Sequence, residues 1–532
     1  RSRVNVYPGE SPDINRKGKV NSMKKLFALL LAVVMMLSVA AVAESPFTEE
    51  NPGSLRVCVY DRSNMNSDYG TVTDNFWTNW IKENFYAATH INIEFVAIPR
   101  SGSGTAITTM LAAGNCPDIF FSYDSTMLYD YAAQGGLANL EDAINQYGPE
   151  LKVALKEMLP YGYCYDGQYA VPARRGELGH LSSFIRLDWL EKIGYEVKYD
   201  DGIAVIPYSD LETILTTWKE EGICEYPMSL LVENTEAESM SPIYLAFIDY
   251  DSFTEEDMAT LPDVMWPGVK NGFEFLNRLY NNGLIQPDWA QYSDEVAWKS
   301  WITNGQIGFW AHAYWRELGT NESVMSLYAN DPTAKVIACT ISNEDGVGAM
   351  IDQYAPYGMY IMVPATSEHV NEAIMYLNWQ CDPKVFETLQ YGFEGEHWVY
   401  DGKAHDSSKK AENARARIST GDLILVYNGN PDKEVLMAEK FRNMDPSIAD
   451  TYEMAFNTAM YHTYIPYVFD QAIKAQGEYG SALNEKLSEV YTKSITCSIE
   501  SFSDTFDAQI QEYLDMGGQA VIDEKTEAYE GK

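Results

Sequence analysis

Apolar positions along the chain alternate between strand-like and helix-like spacing. Leu55-Arg-Val-Cys-Val-Tyr60 reads as a strand, and Asp61-Arg62-Ser63-Asn64 follow it at a possible ligand edge. Asp74–Tyr86 has helical spacing, and Ile91–Ile98 alternates as a second strand. In the next segment Ile107, Met110 and Leu111 fall on one helical face. Gly114 ends that helix, because glycine accepts the left-handed conformation that other residues resist. Pro117 bars a return to helix, and Ile119-Phe120-Phe121 is a short run of buried-strand type. The order βαβαβ predicts a mainly parallel sheet. Ser122, Tyr123 and Asp124 sit at the C-terminal end of its third strand, where open α/β sheets bind ligands.

Further along, Glu141–Tyr147 is a helix, Asp166-Gly167-Gln168 a turn and Tyr169-Ala-Val-Pro172 a short strand that proline interrupts. The pattern restarts after Pro172. Ser183–Asp188 reads as a strand and Asp188–Ile193 as a helix stopped by Gly194. Ser209-Asp-Leu-Glu212 has capping-box spacing and opens a helix to Lys219. Met228–Val232 is a strand, Gly272–Asn282 and Trp298–Thr303 are helices, and Gln306–His312 is a strand running towards Tyr314 and Trp315. Val336–Ile341 and Tyr357–Val363 are further strands, followed by helices Ser367–Asp382 and Pro383–Gln390. From Asp432 to Tyr529 the periodicity is mostly helical.

Targeting and charge narrow the class. Met23-Lys24-Lys25 precedes an apolar run from Leu26 to Val42, and Ala41-Val42-Ala43 fits a signal-peptidase site. The run is at the lower limit for a membrane span, so a cleaved export signal is favoured over an anchor, with residues 1–22 as upstream sequence. Residues 44–532 are then 489 residues, enough for two or three domains. The whole chain has a net charge of −39; residues 1–43 hold seven Lys/Arg and two Asp/Glu, which leaves −44 for the rest. Such a charge argues against nucleic acid and anionic lipid, and disfavours a highly anionic ligand. The seven cysteines are scattered, with no C-x-x-C pair for zinc or redox chemistry; single thiols are the simpler reading, with room for one or two bridges after export. Asn64, Asn66 and Asp68 have calcium-loop spacing, but Tyr69 replaces the required glycine and no glutamate closes the loop, so no metal or other cofactor is expected.

Several segments resemble one family, the extracellular solute-binding proteins of ABC importers, in their sugar- and oligosaccharide-binding branch. Met110-Leu-Ala-Ala-Gly-Asn-Cys-Pro-Asp-Ile-Phe120 is similar to that family's LASGDLPDIF-type segment, and Leu137-Ala-Asn-Leu-Glu-Asp142 to the element after it. Asp166–Pro172 resembles DGKxYGLP, and Ile185–Gly194 resembles IRxDWLxKLG. Asn304–Trp310 and Gly392–Trp398 resemble the xGKxAM and GxEGxxY segments. The matches follow the family's order over nearly the whole exported chain. Two departures stand out: no lipobox cysteine follows the apolar run, and Trp310 stands where a methionine-like residue is common. The resemblance implies an α/β, two-lobed Venus-flytrap fold of type II periplasmic-binding-protein class, with a largely helical C-terminal part. It divides the chain into a first lobe at 52–172 and 314–363 and a second at 173–313 and 364–532. Hinge crossings are expected near Pro172, 312–316 and 362–366. The partners it implies are a small-molecule solute, an oligosaccharide by preference, and ABC permease subunits, with the binding protein itself a monomer, secreted or held at the cell envelope.

Sugars offer hydroxyls to planar polar groups and C–H faces to aromatic rings, which suits a chain with 37 tyrosines and 12 tryptophans. Trp310, His312 and Tyr314 would share a face if their strand continues, either towards ligand or inside a lobe core. Tyr123 and Asp124 lie at a strand's ligand edge, with Asp61 and Arg62 placed similarly. Arg174 follows the first crossing as a rare positive charge, and Glu394 and Trp398 belong to a polar-aromatic loop. Paired carboxylates such as Glu394/Glu396 or Asp249/Asp251 would suit a glycosidase, but acidic pairs arise by chance in so acidic a chain. No hydrolase, metalloprotease, Walker or dinucleotide motif occurs, so a binding protein is preferred to an enzyme. A glycan-binding surface protein without a transporter is the alternative.

Overall fold

The computed structural model describes residues 45–531 apart from 64, 177–178, 232–237, 292–294, 320–321, 401, 403–404, 407–419, 431, 443, 470 and 472. The expected export signal lies outside the described residues. The molecule is built on two sheets with separate cores. Strands Gly53–Asp61 and Ile91–Pro99 pair in parallel, and a parallel bridge from Val57 to Ile119 leads to a four-stranded sheet. Its order is Tyr427–Asn428, Val171–Arg175, Tyr357–Met362, Phe120–Ser122. The second sheet has five strands in the order Phe309–Ala313, Leu181–Arg186, Val336–Ser342, Ile203–Pro207, Lys198–Asp200. Both of its faces are covered: Ile185, Phe309 and Ile337 enter one core, while their neighbours Phe184, Trp310 and Ala338 enter another.

Local chemistry accounts for the element ends. Asn75 caps helix Phe76–Thr89 through a reciprocal capping box with Thr78, and His90 closes it in the left-handed conformation. The turn after helix Ser103–Ala112 needs Gly114 at φ +67°. Asp118 then ties that turn into the lobe. Its carboxylate accepts the Arg56 amide at 2.8 Å and the Ser367 hydroxyl at 2.7 Å. Pro172 does not end its strand. It sits beside a register shift between Tyr357 and Tyr360 of the partner strand, a place where a missing N–H is tolerated. The expected capping box at Ser209 does not form: helix Tyr208–Glu220 follows Pro207 without a side-chain cap, and Glu212 instead pairs with Arg278 at 2.8 Å. Of the expected strand at Met228–Val232, Val232 lies outside the described residues, and the rest shows single bridges at Met228.

The chain passes between the sheets at 176–180, at 353–356 and between Asn428 and Ala449. These positions differ from two of the expected crossings. Tyr314–Glu317 is a helix buried in the second lobe, and Met362–Pro364 stays in the first, where Val363 accepts the Ala138 amide at 2.9 Å. Side-chain packing therefore puts the described residues of 314–351 with the second lobe, since Val336–Ser342 lies between two of its strands. It puts the described residues of 370–426 with the first. There the Asn378 carbonyl oxygen accepts the Glu150 and Leu151 amides, and Gln380 bridges Leu423 and Leu425. After the third crossing, helix Ala449–Thr458 covers the second sheet, with the Ser182 hydroxyl donating to the Ala455 carbonyl at 2.7 Å.

The later helices, Lys474–Thr496, Phe502–Tyr513 and Gln519–Glu530, dock on the second lobe. Fully buried Asn277 fixes the end of the first of them, donating to the carbonyls of Ser494, Ile495 and Cys497 at 2.8–3.1 Å. Asn277→Ala leaves those carbonyls without their donor and should cost about 2 kcal/mol. Hydrogen exchange should show faster opening of 490–497 in the variant, with the first lobe unchanged.

Candidate functional site

The lobes meet where the first two crossings run side by side. The Arg175 amide donates to the Pro356 carbonyl at 2.9 Å, and its guanidinium lies over the Tyr354 ring at 4.2 Å. His180 stacks on Tyr354 with centroids 4.7 Å apart, and Trp315 stands 6.3 Å from the same ring. This platform borders a cavity of about 380 Å³. His180, Leu181, Asp352 and Tyr354 line it from the crossings, and Tyr464 from the strand that pairs in parallel with Ile351–Asp352. The second lobe adds Glu238, Ser241, Tyr244, Asp263 and Tyr491.

Three carboxylates converge here from separate segments. Burial pushes Asp263 up to about 6; the nearby Asp352 charge adds to the rise, and the Tyr244 hydroxyl, donating at 2.6 Å, opposes it. Burial likewise pushes Asp352 up to about 6, although its side chain keeps 39% of its exposure: walls surround it while water still reaches it. The His180 ring nitrogen stands 3.8 Å from Asp352. Glu238 is backed by His312 at 3.5 Å, and His312 is in turn held by Glu317 at 2.8 Å. Tyr244 and Tyr464 are both raised, chiefly by burial, so their phenols stay protonated and serve as hydrogen-bond donors.

A second cavity, of about 320 Å³, lies across the segment 464–467 from the first. The first lobe supplies Ser125, Thr126, Tyr129 and Tyr357; the second supplies Met258 and Leu261; Pro466, Phe469, Gln471 and Lys525 close the remaining side. Burial lowers the Lys525 pKa.

None of the ten residues singled out from the sequence is among the described residues lining these two cavities. Asp61, Arg62 and Tyr123 are neighbours at the expected strand edge. Asp422 holds Arg62 through two contacts of 2.6 and 2.8 Å, and Arg100 covers the half-exposed Tyr123 ring at 5.1 Å. Asp61 accepts the Ser63 amide at 2.8 Å. Asp124 caps helix Ser125–Ala133, so the next two residues, not Asp124, face the second cavity. Arg174 pairs with Glu157 at 3.2 Å. Trp310 and Tyr314 are enclosed in the second lobe's core, because the strand ends at Ala313 and Tyr314 begins a helix. His312 reaches the first cavity only through Glu238. Glu394 is exposed on a turn of the first lobe, and Trp398 is buried beneath it, its indole N–H donating to Gly392 at 3.0 Å. The residues that do line the groove follow strand ends that lack a motif; only the aromatic density around Tyr354 and Tyr464 marks them in the sequence.

Residues 69–176 match the family described as bacterial extracellular solute-binding protein. The chain is similar to that family over this segment. Its solved likenesses include an alginate-binding protein, AlgQ2, at 14% identity, covering 92% of this chain and 100% of that one with a TM-score of 0.61. An extracellular solute-binding protein from Bifidobacterium longum subsp. infantis has 14% identity, coverage of 90% and 100%, and a TM-score of 0.63. An HMO-binding, ABC-transporter-associated solute-binding protein from the same subspecies has 15% identity, coverage of 90% and 99%, and a TM-score of 0.62. At such identities these likenesses establish the fold, a type II periplasmic-binding-protein arrangement with about half of its residues helical. A curated relative from Niallia circulans, an uncharacterized protein in the butB 5′ region, is 28% identical over 130 residues. That match spans 24% of this chain, which covers about half, 49%, of the relative's length. Among the described residues no helix is long and apolar enough to cross a membrane.

Two outcomes test the geometry. A folded-state carboxylate pKa raised above its unfolded value means stability is lost as pH rises from about 4 through about 6. Asp352→Asn should therefore melt higher than the native protein at pH 7.5, with the difference shrinking towards pH 4.5. Trp310→Ala empties a fully buried site and should cost about 3–5 kcal/mol in denaturant unfolding.

Proposed function

We propose that this protein captures a carbohydrate, an oligosaccharide by size of groove, between its two lobes and delivers it to an ABC permease outside the cytoplasm. The observation that carries the reading is the polar and aromatic cavity at the crossing strands, where His180, Tyr354, Tyr464 and Asp352 meet. Tyrosine rings offer flat apolar faces to sugar C–H groups, and carboxylates accept their hydroxyls. The second cavity extends the groove across the 464–467 segment, giving room for more than one sugar ring. The names of several fold relatives point the same way: one binds alginate, one is HMO-binding, and FusA of S. pneumoniae was solved with kestose. The protein acts as a monomer, and as a binder and not an enzyme, the latter in line with the descriptions of the matched family and a fold relative. Closure follows from contacts that the ligand makes with both lobes, since only differential contact shifts the open–closed balance.

A thermal-shift screen of sugars, oligosaccharides, peptides and polyamines tests this. A sugar at a hundred times its Kd should stabilise the protein by about 2.7 kcal/mol. Tyr464→Ala should weaken that ligand about tenfold, a loss in the range of one stacking contact. Small-angle scattering should show compaction with the same ligand. Stabilisation by peptides alone would sink the carbohydrate reading, and an unchanged scattering profile would sink closure.

A further inference from the structure

We infer that the solute held in this groove carries a positively charged amine on its sugar framework. The inference rests on the carbohydrate reading above and narrows it to amino sugars. Three carboxylates, Glu238, Asp263 and Asp352, face one cavity from three segments of the chain. No lysine or arginine is among the described residues lining it; His180, 3.8 Å from Asp352, is the basic group on its wall. Asp263 and Asp352 are close enough for the charge of one to oppose ionisation of the other. A neutral sugar gives a carboxylate a hydroxyl donor but leaves the like charges facing each other. An ammonium group gives three donors and cancels one of the charges.

The aromatic walls fit the same guest. Tyr464 and Tyr491 stand beside the acids in the lining, and tyrosine faces attract a cation within about 6 Å of the ring. The adjoining cavity has the opposite character. Its described lining holds Lys525 and no carboxylate. An amine is drawn to the His180 side and repelled from the Lys525 side, so the pair of cavities also sets which way round the sugar lies.

Calorimetry at pH 7 with matched ligands tests this: glucosamine tetramer against cellotetraose and N-acetylglucosamine tetramer, galactosamine against galactose, and spermidine as a cation without a sugar ring. The amino sugar should bind at least about tenfold tighter than its neutral partner, and added salt should narrow the gap. Asp352→Asn and Asp263→Asn should each bring the pair to within about threefold, the amino sugar losing more affinity than its neutral partner. If either variant fails to fold, the matched pairs on the native protein decide. Equal or tighter binding of the neutral sugar overturns the amine inference and leaves the carbohydrate reading intact. Binding of no sugar in the panel, or of spermidine alone, overturns the carbohydrate reading and this inference with it.

Discussion

Everything in this molecule depends on one constraint: the chain is shared between two sheets and passes from one to the other three times among the described residues. The four-stranded sheet draws on residues 120–122, 171–175, 357–362 and 427–428, on both sides of the stretch that builds the other sheet. The five-stranded sheet lies wholly within 181–342, but its cores are completed by Ile448, Tyr452 and Phe456 and by Val490, Tyr491 and Phe502, which return after the third crossing. Each core therefore closes only when distant segments return to it. The crossings that enforce this lie side by side, joined by the Arg175–Pro356 hydrogen bond and the stack of Arg175, Tyr354 and His180. Gly176 lets them approach: a Cβ there would stand 2.2 Å from the Asn430 carbonyl oxygen of the third passage. The place where the lobes are tied together is thus also the floor of the groove.

The groove is expensive to keep. Two carboxylates held largely surrounded by protein resist ionisation, and the folded state carries that penalty near neutral pH. Elsewhere the protein neutralises its rare buried charges with care. Arg186 is 2% exposed, yet Asp188 and Asp331 both face it and the Trp189 ring covers it. The contrast is between an arginine matched by two carboxylates and three carboxylates gathered beside one cavity, with His180, His312 and Tyr244 as their neighbours.

Much of the fold was legible because local signals and burial agreed. Gly114, Asn75 and Gly194 end or begin elements as their conformational preferences require, and the βαβ order of the first hundred residues is realised in parallel pairing. The Gly114–Asp118 turn proves architectural, with Asp118 hydrogen-bonded on both oxygens. The lobe boundaries were not legible, because nothing in the spacing of 336–342 or 370–380 says which sheet claims them. The site was legible only to its neighbourhood. Tyr123 and Asp124 lie next to the second cavity, but capping needs took Asp124, and the two residues after it face that cavity. Trp310 and Tyr314 carried the right chemistry in a strand that turned into a helix one residue too soon. Asp352 and Tyr354 had no motif to announce them, since their role comes from the meeting of three crossings and not from their own segment.

Glu524 closes the molecule in a way that bears on its biogenesis. Its carboxylate accepts the amides of Lys474 and Ala475, at 3.0 and 2.8 Å, so helix Gln519–Glu530 is stitched to the first turn of helix Lys474–Thr496. That stitch places Lys525 in the wall of the second cavity, while Tyr464 borders the first. Both sheets are complete in sequence before either residue is made. A nascent chain can therefore hold the strands of both sheets while both cavities still lack walls, which are finished only when its last described helices settle against the second lobe.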